Sequence, residues 1–333
     1  MLNFAVLGCG RIGQMHARNI AAHPRAELVT VYDVVPQAAE AAASELGARV
    51  AGSVGEVLAD PRVQAILIAS STDTHVDLLT RGAKAGKAVL CEKPIDLDLA
   101  KVDACWAEIG PLDPVVMVGF NRRFDPSFKA LRDRVRAGEI GQLEQVVITS
   151  RDPGLPPVEY LRVSGGQFRD MTIHDFDMAR WMLGEEPVEV FAYGAALVDP
   201  AVAAAGDTDS CMVLLRTASG RMAHINNSRR ASYGYDQRVE VHGSLGRLMA
   251  GNRVPTTVEQ ADAQSDRREK PLHFFLERYA DAYRLELAAF IEAVTHGTPV
   301  PVGAQDGRQA LVLAEAALRS LRDNRPVKVS EVA

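Results

Sequence analysis

Apolar residues in the first third of the chain fall in short unbroken runs, separated by longer stretches in which they recur at roughly every third or fourth position. The runs at residues 4–7, 27–32, 65–69, 88–91 and 115–118 have the length and continuity of strands buried on both faces. The stretches between them predict helices from Met15 past Ile20, over 37–46, over 55–59 and over 74–85. Strand alternating with helix is the pattern of a doubly wound parallel sheet, closing near Gly119. Beyond Phe120 the rhythm changes. A helix over 126–137 is followed by strand patterns over 143–149, 188–197, 209–217, 221–228, 238–241 and 247–250, with Ala218-Ser219-Gly220 as a hairpin turn. Helices return over 278–295 and 305–322, and 326–329 reads as a last strand; 201–205 reads as a small-residue loop. The expected architecture is an α/β domain over 1–119 and an α+β domain over 120–333 built on a large, mainly antiparallel sheet.

One helical pattern carries candidate chemistry. Phe168-Arg169-Asp170-Met171-Thr172-Ile173-His174-Asp175 opens it, and Phe176, Ala179, Trp181, Met182 and Leu183 supply an apolar stripe that stops at Gly184. Asp170 and His174, four positions apart, share a helix face. A carboxylate beside an imidazole is a general base with its orienter. The same residues also read as a helix cap and a satisfied core histidine, and the octapeptide alone leaves both open.

The start of the chain narrows the choice. The strand at 4–7 runs into Gly8-Cys9-Gly10-Arg11-Ile12-Gly13 and then a helix. In this setting Gly8 permits the tight turn, Gly10 the approach of a pyrophosphate, and Gly13 close packing of helix on strand. Asp33 ends the second strand, where the dinucleotide fingerprint places an acid on the adenosine ribose hydroxyls. Its negative charge favours NAD over NADP, with Arg11 as a residue that could blunt the preference. Capping of the following helix is the structural alternative for Asp33. Ser71 and Thr72 follow the strand at 65–69, at the end where ligands of such sheets collect, although Thr72 or Asp73 could equally cap a helix there. Glu92 and Lys93 end the next strand, before Pro94.

Composition removes several function classes. At 333 residues, 47% hydrophobic and 24% charged, the chain is globular and long enough for two domains. A net charge of -6 gives no footprint for nucleic acid or an anionic membrane surface. No apolar run approaches the ~20 residues that span a bilayer, and the first residues carry no signal peptide pattern, so a cytoplasmic location is expected. The four cysteines lack the spacing of a zinc site and read as reduced thiols.

With the glycine fingerprint, Glu92-Lys93-Pro94 and the motif ending in His174-Asp175 in hand, the chain resembles the glucose-fructose oxidoreductase and inositol dehydrogenase family over essentially its whole length. Gly119-Phe120-Asn121-Arg122-Arg123-Phe124-Asp125-Pro126 and Tyr233-Gly234-Tyr235-Asp236 look most like the bacterial inositol 2-dehydrogenases of that family. The resemblance implies a Rossmann domain that binds NAD through Gly8, Gly10, Arg11, Ile12, Gly13, Asp33, Ser71, Thr72, Glu92 and Lys93. It implies a catalytic Lys93, Asp170 and His174, and substrate contacts at Arg123, Asp152 and Tyr235 besides those three. It also implies an open-faced sheet used for oligomer contacts, usually in a tetramer. Asp152 stands where an asparagine is common in the family, which leaves open the hydroxyl it reads. The implied reaction is NAD-dependent oxidation of one secondary alcohol of a cyclic polyol, myo-inositol first, with scyllo-inositol or an aldose as alternatives, and no metal. A non-catalytic NAD-binding regulator is the alternative from another class. Asp170, His174 and Asp175 as metal ligands lack a third His or Cys to complete the set.

Overall fold

A computed structural model of the chain describes residues 1–333, Val158 by its backbone alone. Contacts divide it into two units, Met1–Asn121 with Tyr283–Gln309, and Arg122–Ala282 with Ala310–Ala333. The sequence reading expects a single crossing between 119 and 120, whereas the chain comes back to the first unit for Tyr283–Gln309. The helix Ala280–His296 explains the return: its buried positions include Tyr283, Leu287, Phe290 and Ile291, and Phe290 lies 5.9 Å, ring to ring, from Phe4 of the first strand. Periodicity reveals that such a helix buries a face, but not which sheet receives it.

The first unit is a parallel sheet of β1 (Leu2–Leu7), β2 (Ala26–Tyr32), β3 (Arg49–Val50), β4 (Ala65–Ile68), β5 (Ala88–Glu92) and β6 (Val116–Gly119), in the order β3-β2-β1-β4-β5-β6. Every residue of β4 and β6 is buried, which is why both read as unbroken apolar runs. The strand order reverses between β1 and β4, and the crevice at their carboxyl ends is where open sheets of this kind take ligands. Two elements escaped the sequence reading. The two-residue β3 is too short to show a pattern, and the helix Leu99–Ile109 buries only Val102, Cys105 and Ile109.

In the second unit β7 (Leu143–Arg151), β8 (Pro187–Ala195), β9 (Ser210–Thr217), β10 (Met222–Ser228), β11 (Asp236–Gly243) and β12 (Gly246–Ala250) form a sheet in the order β12-β11-β7-β10-β9-β8, while β13 (Glu259–Ala261) and β14 (Asp266–Arg268) pair as a separate hairpin and β15 (Val327–Lys328) adds to β8. Neighbours are antiparallel except β7 and β10, which run parallel. Burial alternates along β9, with Cys211, Val213 and Leu215 inward and Met212 and Leu214 outward. The helices Pro126–Arg136 and Ile173–Leu183 cover the inner face. The outer face carries Tyr193, Met212, Leu214, Met222 and Met249, all exposed.

The helix bearing His174 differs from its expected form. Phe168–Thr172, which holds Asp170, is a π-helical turn, and the α-helix proper is Ile173–Leu183. It is not amphipathic: His174 and Trp181 alone among its residues keep part of their surface in solvent. The charged residues between the positions of the apolar stripe are buried because each is ion-paired, Asp175 with Arg122, Asp177 with Arg123 and Arg180 with Glu186. Gly184 ends the helix in the left-handed region at φ 64°. Residues 201–205 are likewise not a plain loop, since Asp199 caps a short helix, Pro200–Ala204, through the Ala201 amide.

Candidate active site

In the first unit β1 turns at Gly8 into the helix Arg11–Ala22. Gly8 has φ +97°, and a Cβ there would stand 2.5 Å from the Ser70 nitrogen; a Cβ on Gly13 would stand 1.8 Å from the Gly8 carbonyl oxygen. Packing therefore demands glycine at both. Gly10 is different: it is exposed, and a Cβ would meet nothing within 4 Å. Its bare backbone, at the N-cap of a helix without a side-chain cap, leaves a cradle with the positive end of the helix dipole behind it, suited to a pyrophosphate. Arg11 and Ile12 form the first turn beside it.

Asp33, just past β2, faces this loop. Its Oδ2 accepts from the Cys9 amide at 2.6 Å and its Oδ1 from the Val35 amide at 2.8 Å. The following helix, Pro36–Leu46, has Val35 at its N-cap and no side-chain cap, so Asp33 ties strand to glycine loop and does not cap that helix. Past β4, Ser71 is the N-cap of the short turn Thr72–Thr74 and Thr74 that of the helix His75–Lys84, neither with a side-chain capping bond. Glu92 ends β5. One of its carboxylate oxygens meets His16 Nε2 at 2.8 Å and the other accepts from the Lys93 amide at 3.3 Å. Lys93 is half-buried, and its peptide bond to Pro94 is cis.

In the second unit His174 stands on the partly solvated side of its helix, between the buried Ile173 and Asp175. Asp170, in the π-turn, accepts from the Tyr160 hydroxyl at 2.8 Å and from Arg229 at 3.1 Å. Asp175 accepts from Arg122 and, at 2.9 Å, from the Asn227 amide. Arg122 also donates to Ser150, which donates to Gln237, and lies over the Tyr279 ring. Tyr235 is buried, edge-on to Tyr279 at 6.0 Å. Asp152 is partly accessible. Desolvation nonetheless pushes its carboxyl up to about 6, against the pull of Arg229 and Arg122 and with help from Asp170 and Asp175. These charges thus share one neighbourhood, with carboxylates already engaged by arginine and amide donors. Among the described residues no group of three or more His, Cys, Asp and Glu side chains is arranged to hold a metal.

Arg123 is buried on an ion pair. Asp177 grips it with both oxygens, at Nε and at the guanidinium tip, and its neighbour Arg122 is the arginine beside Asp152 and Asp175. In an Arg-Arg pair the sequence carries no signal for which one turns to the site. Tyr160, Arg229 and His16 were also not singled out. Their partners lie 10, 59 and 76 positions away, separations at which no local pattern operates.

Comparison with known proteins matches the chain to two consecutive models of one family. Residues 2–120 match the family model described as an oxidoreductase family NAD-binding Rossmann fold, and 132–329 match the C-terminal alpha/beta domain of the same family. An inositol 2-dehydrogenase of Rhizobium meliloti is 50% identical over 330 residues, 99% of each chain. A myo-inositol 2-dehydrogenase of Thermotoga maritima is 49% identical over 332 residues, again 99% of each. The crystal structure of scyllo-inositol dehydrogenase from Lactobacillus casei with bound NAD(H) and scyllo-inositol superposes with a TM-score of 0.92 at 29% identity, covering 99% of both chains. With both of its domains matched in order, this chain belongs to the glucose-fructose oxidoreductase and inositol dehydrogenase family of NAD-binding oxidoreductases.

Proposed function

We propose that the protein is an NAD-dependent inositol 2-dehydrogenase that oxidises myo-inositol to 2-keto-myo-inositol. The observation that carries the reading is that one chain holds both a fingerprint built for a dinucleotide, Gly8, Gly10 and Gly13 with Asp33 bonded to the loop, and, within its second unit, a neighbourhood of arginines, carboxylates and a half-buried histidine. A polyol offers many hydroxyls and no charge, and suits such a lining better than an apolar pocket. Likeness to enzymes named for inositol, at about half identity and full coverage, supports the same substrate class.

The roles follow from what the oxidation needs. Bound NAD supplies the acceptor for the hydride that leaves the carbinol carbon. His174 takes the hydroxyl proton, Asp170 stabilises the resulting imidazolium, and the ammonium of Lys93 stabilises the developing alkoxide. Asp170 is itself steadied by Tyr160 and Arg229. Asp152, Tyr235 and Arg123, with Arg122 added from its position beside Asp152, bind ring hydroxyls or hold the groups that do. Production of NADH on adding myo-inositol, followed by absorbance, separates this reading from a regulator that binds NAD without turnover.

Two expectations arise here. NAD should be used more efficiently than NADP, because Asp33 puts a carboxylate where the 2'-phosphate would lie; equal kcat/KM with the two cofactors would contradict this role. The second concerns Asp152, whose carboxyl titrates at about 6. Below that pH it is neutral and above it an anion that accepts two hydroxyl bonds at once, so the KM for myo-inositol should fall as pH rises through this value. Asp152→Asn should raise KM and remove that pH step, and a step that survives the substitution would assign it elsewhere.

The outer face of the second unit's sheet fits the tetramer that the family resemblance implies. Tyr193, Met212, Leu214, Met222 and Met249 leave an apolar surface bare on the sheet, a surface of the kind that associates. A second copy of the chain is its proposed partner, and light scattering at the monomer mass would refute it. Four free, buried cysteines accord with a cytoplasmic location.

A further inference from the structure

The first unit buries a carboxyl within electrostatic reach of Glu92, the residue before Lys93. Glu286, on the helix Ala280–His296, is fully buried, and neither carboxyl oxygen accepts a hydrogen bond from any donor of the protein. One turn earlier on that helix, Tyr283 packs edge-on against His16, ring centroids 5.4 Å apart. His16 Nδ1 is also unpartnered, which leaves Nε2 as the nitrogen that donates to Glu92 at 2.8 Å. The other Glu92 oxygen accepts from the Lys93 amide. Gly119 of β6 makes room for that oxygen, since a Cβ there would stand 3.1 Å from it.

We propose that Glu286 is a positioning residue for Lys93, working through Glu92: it stands as a neutral acid whose proton gives the Glu92 anion a further donor. This rests on the reading that Lys93 acts on the substrate. Two carboxylates buried together cannot both be charged without large cost, and one of them then keeps its proton. Glu286 is the one that does so, because burial first and the Glu92 charge second raise its carboxyl well above the ordinary carboxylate range. Glu92 has two donors to stabilise its charge, the His16 imidazole and the Lys93 amide. The titratable groups of this cluster are Glu92 from β5, His16 from the helix Arg11–Ala22 and Tyr283 from the same helix as Glu286. The arrangement fixes the direction in which the backbone leaves β5, and with it the root of the Lys93 side chain.

Glu286→Gln keeps a neutral donor of the same size, and Glu286→Leu removes it. With myo-inositol and NAD, the Leu variant should lose on the order of tenfold to a hundredfold in kcat, the scale set by misplacing a reacting group. Its NADH affinity by fluorescence titration and its melting temperature should stay near the wild-type values, and the Gln variant should recover most of the rate. A folded Leu variant with normal kcat, or a Gln variant as slow as Leu, would overturn the proposal. Infrared spectroscopy decides the matter even where the Leu variant does not fold. The wild-type protein at neutral pH should show the carbonyl stretch of a buried carboxylic acid that Glu286→Gln lacks, and a spectrum without it ends the proposal. Lys93→Met, assayed alongside, keeps the two ideas apart: full activity there refutes the role of Lys93, whereas its inactivity beside a normal Glu286→Leu refutes only that of Glu286.

Discussion

His174→Ala is expected to lose about 10²- to 10⁴-fold in kcat while binding NADH as tightly as the wild-type protein. The loss follows from removing the group that takes the hydroxyl proton, and the preserved binding from the dinucleotide fingerprint lying wholly in the first unit. Stability should change little. His174 is one of two residues on its helix that are not buried, so truncation opens no sealed cavity, unlike the deletion of a core side chain such as Phe176, fully buried on the same helix and expected to cost about 3–5 kcal/mol on truncation to alanine. A core histidine would give the opposite result, with a lowered melting temperature and full activity in whatever fraction stays folded.

Lys93→Met should be of comparable severity, because it deletes the cation that stabilises the alkoxide while keeping the length of the side chain. Lys93→Arg should recover only part of the rate, since a planar guanidinium keeps the charge but not the compact ammonium. Near-normal kcat/KM in Lys93→Met would make Lys93 a surface residue beside Pro94.

Most of the first unit's sheet was legible because strands such as β4 and β6 are buried on both faces, which leaves an unbroken apolar run in the sequence. The glycine loop was legible because steric demand at Gly8 and Gly13 admits no other residue. The helix at Ile173–Leu183 was found, but its character was not. Asp175, Asp177 and Arg180 look like a solvent face until their partners Arg122, Arg123 and Glu186 come into view. The same long-range pairing hid which of Arg122 and Arg123 turns toward Asp152, and it hid the buried Glu286 behind a helix that reads as ordinary. Return of Tyr283–Gln309 to the first unit is likewise a tertiary choice, made between two sheets that would each accept an apolar helix face.

Oxidation at one carbinol carbon of myo-inositol is tested most directly with myo-inositol carrying deuterium on C2. Incubation with NAD should give NADH that holds the deuterium, together with 2-keto-myo-inositol, and kcat/KM for myo-inositol should exceed that for scyllo-inositol and for aldoses measured in the same way. NADH without the label, or a higher kcat/KM for an aldose than for myo-inositol, would contradict the account.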